Sequence, residues 1–399
     1  MVRIILNKGK EQSLKRFHPW VFSGAVKKME GGEPAEGDVV EVYSSVGEYL
    51  GKGHYQIGSI TVRILTFNKE EIDDSFWYNA INGAYNARKT LGLVANSDTD
   101  AYRLVHGEGD FLPGLIIDIY GATAVIQAHS AGMFLAKDSI AKALREVYGA
   151  SLHAIYDKSE GTAPFKAGLD LKDGYIYRSS ELESDASAVL ENGNKFYVNW
   201  VEGQKTGFFL DQRDNRALVK QYAKGKNVLN LFCYTGGFSI YALSGGAKHV
   251  DSVDSSRKAM DMVVKNVQLN GFEEGVHHTS YCEDAIEFMR KCEGNKYDLM
   301  IVDPPAFAKH RGALDNALRA YKRLNALAIE KVKPGGVVFT YSCSQVVDKH
   351  NFALAVFSAA AQTGRRVRIL HRLTQPADHP VNIYHPEGEY LKGLVLLVE

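Results

Sequence analysis

The stretch Asn227-Val-Leu-Asn-Leu-Phe-Cys-Tyr-Thr-Gly-Gly-Phe-Ser-Ile-Tyr241 decides the fold. Its apolar run, Val228 to Phe232, breaks at a turn holding Gly236 and Gly237, and a helical pattern follows. Strand, glycine turn and helix in that order let an open α/β sheet aim backbone N–H groups and a helix N-terminus at a ligand. A second short strand, Val250 to Asp254, closes on a carboxylate 18 positions after Gly236. Such folds keep there the acid that accepts from ribose hydroxyls. The glycines do not spell G-x-G-x-x-G, so Tyr234-Thr-Gly-Gly-Phe238 suits a nucleoside without a pyrophosphate better than a dinucleotide.

Around this stretch, from about residue 188 onward, apolar runs alternate with helical patterns, which predicts a parallel sheet. Strands are expected at 227–232, 249–253, 276–280, 298–302, 336–342, 367–371 and 394–398, with helices at about 238–244, 256–270, 284–291, 314–332 and 350–362. The last two strands lack a helix between them and are expected to pair antiparallel. Function in such sheets collects at strand C-termini. One strand ends in Asp303-Pro-Pro-Ala-Phe-Ala-Lys309, a carboxylate with two prolines fixing the turn behind it. Another ends in Thr340-Tyr-Ser-Cys-Ser344. A buried cysteine is as readily an inert core residue as a reactive one. A strand-end thiol near a carboxylate and a nucleoside pocket points Cys343 towards nucleophile. Cys233 is expected to pack beside the glycine turn, and Cys282 and Cys292 carry no such context.

Outward again, residues 1–72 hold short β-type runs, Val39 to Tyr43, Glu48 to Gly51 and Ile60 to Leu65, between frequent glycines, which predicts a small β-barrel or sandwich. Met1 to Lys28 carries seven Lys/Arg against the single acid Glu11, with Phe17, His18, Trp20 and Phe22 interleaved. Such an edge can contact phosphates and stack bases, or be a solvated charged face. Trp20 and Phe22 are expected in the barrel core. Residues 73–187 read as a small α+β module: a helix from Ser75 to Leu91, a hairpin of Leu115–Tyr120 and Thr123–Ala128, and a helix from Met133 to Tyr148. Arg103, Glu108 and Asp110 read as turn and solvent chemistry more readily than as catalytic groups.

The chain has 399 residues, enough for two or three domains, and its 47 Lys+Arg balance 47 Asp+Glu. No global positive field announces a nucleic acid, although a local basic face is enough to bind one. Four cysteines without C-x-x-C or histidine spacing give no sign of zinc or a disulfide framework. With no apolar run approaching a membrane span and no h-region, the expected location is cytoplasmic, with no membrane partner.

The residues quoted so far resemble the bacterial ribosomal RNA large-subunit methyltransferases that make 5-methylcytosine. The matching stretches are Gly203-Gln-Lys-Thr-Gly-Phe-Phe-Leu-Asp-Gln-Arg-Asp-Asn-Arg216, Val228 to Leu243, Asp303 to Lys309, Ser342-Cys-Ser344 and Asp378-His-Pro-Val381. Arg103 to Gly121 and Arg16-Phe-His-Pro-Trp20 also match, so the likeness spans the chain. It implies an N-terminal PUA-like RNA-binding domain at 1–72, a central α+β domain at 73–187, and a Rossmann-like class I methyltransferase domain at 188–399. It implies S-adenosylmethionine bound at Phe232, Tyr234, Gly236, Gly237 and Phe238, with Asp254 on its ribose, Ser255 beside it and Asp284 near the adenine. Gln212, Arg213 and Arg216 would wall the same site, unless the arginines form an ion pair anchoring the sheet. Cys343 would add to cytosine C6, and Asp303, beside the cofactor, would hydrogen-bond or protonate N3. The partner implied is ribosomal RNA; whether the chain forms a homodimer stays open. A departure from many RNA 5-methylcytosine enzymes is the absence of a second cysteine in a Pro-Cys pair, since Pro304-Pro305-Ala306 stands there. The release base is therefore unassigned. Two alternatives stand beside this one: methylation of a guanine amine with a structural Cys343, and a non-catalytic PUA-containing RNA-binding protein.

Overall fold

A computed structural model describes residues 1–164, 168–182, 184–308 and 310–399. Its contacts divide the chain into two units that are not simple halves. One holds Met1–Ser187, Val198–Phe208 and Ala377–Gly388, and the other Ala188–Tyr197, Phe209–Pro376 and Glu389–Glu399.

The first unit is built on two sheets. The N-terminal one has six strands in the order Trp20–Phe22, Ile60–Thr66, Tyr49–Tyr55, Val39–Tyr43, Arg3–Leu6 and Val26–Glu30. Its interior is aliphatic: Ile4, Leu6, Val21, Val40, Val42 and Val62 are buried. Arg3–Leu6 and Val26–Glu30 lie in the basic stretch where no strand was expected; alternation there buries Ile4 and Leu6 and leaves charged neighbours outside. The same alternation corrects the expectation for the aromatics. Strand Trp20–Phe22 turns Val21 inward, so Phe22 is 47% exposed and Trp20 is half-buried, its indole N–H donating to Glu108 (2.9 Å).

The second sheet runs Gly174–Arg178, Ala154–Asp157, Thr123–Ala128, Leu115–Tyr120, Ala101–His106, and the expected hairpin pairs Leu115 with Ala128 through Tyr120 with Thr123. The helix expected over Met133–Tyr148 is two, Ala131–Leu135 and Lys137–Tyr148, joined at Ala136. Arg88, on helix Asp74–Thr90 and 1% exposed, pairs with Asp110 and donates to the carbonyls of Arg103 (2.7 Å) and Asp378 (2.8 Å). Arg103 grips both oxygens of Asp118 (2.7 and 2.8 Å), and its N–H donates to the Asp378 carboxylate (2.9 Å). Arg103, Glu108 and Asp110 are thus structural partners within this unit.

The second unit is a seven-stranded sheet. After a two-stranded pair (Ala186–Glu191 and Asn194–Asn199) and the helix Arg213–Tyr222, the sheet and its helices run in chain order β1 (Asn227–Leu231), α1 (Gly237–Ser244), β2 (His249–Asp254), α2 (Arg257–Leu269), β3 (His278–Cys282), α3 (Ala285–Lys291), β4 (Leu299–Val302), α4 (Leu314–Lys331), β5 (Gly336–Ser342), α5 (Lys349–Thr363), β6 (Val367–Leu373) and β7 (Lys392–Val398). The spatial order is β3-β2-β1-β4-β5-β7-β6. Strands β1 to β5 pair in parallel, and β7 enters antiparallel between β5 and β6. Val228, Leu229 and Leu231 are fully buried, as a central parallel strand covered on both faces requires. Helix α2 packs Ala259, Met260, Val263 and Val267 at helical spacing, and Ser256 caps its start by accepting from the Ala259 N–H (3.3 Å). Strand β3 begins two residues later than spacing predicts because a turn occupies Glu273–His277, closed by the Gly275 N–H on the His278 carbonyl (2.6 Å).

Candidate functional site

The site assembles at the C-terminal edge of the parallel strands of the second unit. After β1 the chain turns through Phe232 (φ 57°), Tyr234 (φ 48°) and Gly236 (φ 82°), three left-handed residues within five. Only glycine enters that region freely, so Phe232 and Tyr234 each hold strain of about 1–2 kcal/mol, of the sort found at ligand sites. A methyl group at Gly236 would stand 3.2 Å from Val263 Cγ1.

The turn is tied to β2 through Asp254. One carboxylate oxygen accepts from the Tyr234 N–H (3.0 Å) and the other from the Ser256 N–H (2.9 Å). The Cys233 N–H reaches the Val253 carbonyl (3.1 Å), while its buried thiol lies 3.7 Å from Met260 Sδ. Burial, helped by the Asp254 charge, pushes that thiol well above its ordinary range, so Cys233 packs rather than reacts. Gly237 opens α1, and the buried Phe238 ring lies 5.5 Å from that of Tyr341. The Ser255 carbonyl accepts from the Cys282 thiol (3.5 Å). Asp284 caps α3, accepting from the Ile286 and Glu287 N–H groups (both 3.0 Å). Gly236, Asp254 and Asp284 thus follow three neighbouring strands, at the sheet edge where such folds bind ligands.

Asp303 and Cys343 follow the adjacent parallel strands β4 and β5, where Val302 lies in register with Thr340. Gln212 Nε2 donates to Asp303 Oδ2 (2.9 Å), and Asn215 Nδ2 donates to Gln212 Oε1 (2.6 Å), which fixes the amide's direction. The serines flanking Cys343 are anchored, Ser342 to the Tyr321 hydroxyl (2.9 Å) and Ser344 to the Ala308 carbonyl (2.8 Å). Lys309, last residue of the Asp303 motif, lies outside the described residues.

The two arginines of the same block both approach Glu191. Arg216 donates through Nε and Nη2 to the fully buried Glu191 (2.8 and 2.7 Å) and through Nη1 to the Phe209 carbonyl (2.8 Å). Tyr241 adds its hydroxyl to Glu191 (3.0 Å), and Arg213 Nε stands 3.7 Å from the same carboxylate. Within the block, Gln212 places its amide on Asp303.

Sequence reasoning missed Lys392. It is buried and donates to the carbonyls of Ser344 and Val347 on either side of the loop after Cys343. Burial brings its pKa down to about 8, against the opposing pull of negative charge at Cys343. Tyr321, also buried, is pushed up to about 12 by desolvation, with Cys343 and Asp303 adding to the rise. The available signal was a lone lysine at the head of the apolar run Gly393–Val398, in register with Ser342.

Residues 176–390 match a family model described as S-adenosylmethionine-dependent methyltransferase, and residues 4–67 one described as a PUA-like domain. The chain is similar to ribosomal RNA large subunit methyltransferase I of Aeromonas hydrophila, 42% identical over 399 residues covering 98% of each chain. The protein of that name from Shewanella denitrificans is 39% identical over 402 residues, covering 100% of this chain and 99% of the other. Two solved structures superpose over 100% of both chains. One is a Streptococcus mutans protein classed as a SAM-dependent methyltransferase (TM-score 0.83, 23% identity), and the other was solved with SAH (TM-score 0.84, 24% identity). At those identities they speak for the fold. Among the described residues no helix is long and apolar enough to cross a membrane.

Proposed function

We propose, from the premise that the chain belongs to the S-adenosylmethionine-dependent methyltransferase family, that it forms 5-methylcytosine in large-subunit ribosomal RNA through a covalent adduct on Cys343. Bound S-adenosylmethionine supplies an electrophilic methyl group. Phe232, Tyr234, Gly236, Gly237, Phe238, Asp254, Ser255 and Asp284 would hold it, with Gln212 and Asp303 at the reacting end and Arg213 and Arg216 bracing the wall behind.

One observation carries the reading: a thiol and a carboxylate follow neighbouring parallel strands, with Gln212 orienting the carboxylate. Cytosine C5 is a poor nucleophile, and covalent catalysis divides its difficult step. The Cys343 thiolate attacks C6, forming an S–C6 bond and moving the ring's electron pair towards C5 and N3. Asp303 hydrogen-bonds or protonates N3, where charge develops. C5 would then take the methyl group as its bond to the sulfonium sulfur breaks and leaves a neutral thioether, Asp303 would take back any proton given to N3, a base would remove the C5 proton, and the C6–S bond would break to return the thiolate. The Lys392 ammonium, anchored beside the loop, favours the thiolate electrostatically. Guanine-amine methylation is less well supported, because Phe307, the aromatic of the Asp303 motif, packs against Tyr321 with ring centroids 4.8 Å apart. The PUA-like domain would dock the RNA, and the location that fits this substrate is the cytoplasm.

The test uses labelled S-adenosylmethionine, unmodified large-subunit ribosomal RNA and Cys343→Ala, with the product nucleoside identified by mass spectrometry. We expect 5-methylcytidine from the wild type and a loss of at least about a thousandfold in the variant. A methylated guanine, or full activity without the thiol, refutes the covalent mechanism.

A further inference from the structure

The first unit carries a cluster of ligating side chains that the transfer reaction does not use. His18, just ahead of strand Trp20–Phe22, and His385 and Glu387, at the turn Pro386–Gly388, bring one donor atom each to within 4.8 Å of one another. His18 Nε2 lies 3.8 Å from one oxygen of Glu387, and His385 Nε2 lies 3.8 Å from the other. We propose that His18, His385 and Glu387 bind one zinc ion, with water in the fourth position.

Two further features point to a ligand. His385 is 3% exposed, yet among the described residues neither ring nitrogen has a hydrogen-bond partner. An imidazole always presents a donor or an acceptor at each nitrogen, and a buried one left unmatched at both is destabilising. Coordination uses the lone pair of Nε2 that the protein leaves unused. Secondly, the donor set is two imidazoles and one carboxylate. That set, with one place left for water, suits zinc, whereas magnesium and calcium favour oxygen ligands throughout.

The geometry needs little adjustment. Bonds of about 2.0–2.1 Å put tetrahedral ligand atoms roughly 3.3 Å apart. Glu387, with more than half of its side chain exposed, closes the difference by rotating about its own bonds. His18 Nδ1 accepts from the Trp20 N–H at 3.2 Å. Ligation through Nε2 moves the ring proton to Nδ1 and gives up that one bond, at the long end of the hydrogen-bond range. His18 and His385 stand far apart in the sequence, so no search for spaced ligands finds them. A bound ion would clip the Ala377–Gly388 segment to the N-terminal sheet inside this unit.

Trp20 supplies a local reporter, since its ring centroid is 4.3 Å from that of His385. The test takes the full chain without a histidine tag, strips it with chelator, and titrates it with Zn²⁺ and Co²⁺. We expect one Zn²⁺ per chain, the visible absorption of tetrahedral Co²⁺, and quenching of Trp20 fluorescence by Co²⁺. Trp20→Phe should remove the quenching while zinc still binds. Glu387→Gln should weaken zinc affinity roughly tenfold and His385→Ala about a hundredfold or more. Should His385→Ala fail to fold, the exposed Glu387→Gln decides alone. Wild-type protein that takes up no zinc at low micromolar concentration, or a Glu387→Gln protein that titrates like wild type, overturns the site.

Discussion

Replacing Glu191 by glutamine keeps the shape of the buried side chain and removes its charge. The wild-type carboxylate accepts two guanidinium bonds from Arg216 (2.8 and 2.7 Å) and one from the Tyr241 hydroxyl (3.0 Å), with no solvent exposure. Burial alone would lower the Arg216 pKa, and Glu191 more than offsets it, so the arginine stays charged. Glutamine leaves that charge buried without a counter-charge and turns an amide N–H₂ towards a donor. Breaking a buried pair from one side costs about 3–5 kcal/mol. For a unit of this size, 1 kcal/mol corresponds to about 2–4 °C, so the second unit should lose roughly 6–20 °C in melting temperature. Differential scanning calorimetry, with and without S-adenosylmethionine, resolves the transition that the cofactor shifts. If that transition moves by less than about 2 °C while cofactor affinity falls, Arg216 acts on the ligand and the anchoring argument is wrong.

Gly236→Ala forces a left-handed alanine (φ 82°) with its methyl 3.2 Å from Val263; the cost of about 1–2 kcal/mol should weaken S-adenosylmethionine roughly tenfold by calorimetric titration, and unchanged affinity would count against the turn as the binding element. Lys392, held at about 8, is charged below that pH and loses its proton as pH rises through it. The thiolate-supporting charge is then lost, so kcat/KM should fall on the alkaline side near pH 8, and Lys392→Met should abolish that limb; identical profiles exclude the role. The linked stability change has the opposite sense. Between about 8 and the ordinary lysine value the unfolded chain holds more protons, so Lys392 contributes a gain in stability as pH rises. Arg88→Met should destabilise the first unit by about 3–5 kcal/mol by stranding the Asp110 carboxylate, read as faster limited proteolysis of that unit; a wild-type digestion rate would show the network to be dispensable.

The alternation of apolar runs with helices placed all seven strands of the large sheet, most plainly β1, β4 and β5, which are buried and stand out from polar turns. The positions of Asp303, Cys343, Gly236 and Asp254 just past strand ends were legible from the same pattern. Distance in sequence hid the rest. Nothing near Arg216 marks Glu191 as its partner, and nothing near Arg88 marks Asp378. Lys392 looked like the edge of a strand, since its meaning depends on Ser344 and Val347, more than forty positions earlier. In the basic N-terminal stretch, charge masked the two-residue rhythm that buries Ile4 and Leu6, and bulk misled at Phe22, where strand parity outweighed hydrophobicity.

The entry of β7 between β5 and β6 bears on how the protein is made. A ribosome releases the chain from its N-terminus, so β5 waits with an unpaired edge while α5 and β6 emerge, and it is sealed only when Lys392–Val398 arrives. The first unit waits as well, because its Ala377–Gly388 segment is translated after nearly all of the other unit. Termination between residues 342 and 392 would therefore release a polypeptide with the β5 edge open, suited to aggregation or to capture by chaperones. Synthesis and competence are in this way coupled: the lysine beside the Cys343 loop and the strand that closes the sheet are delivered together.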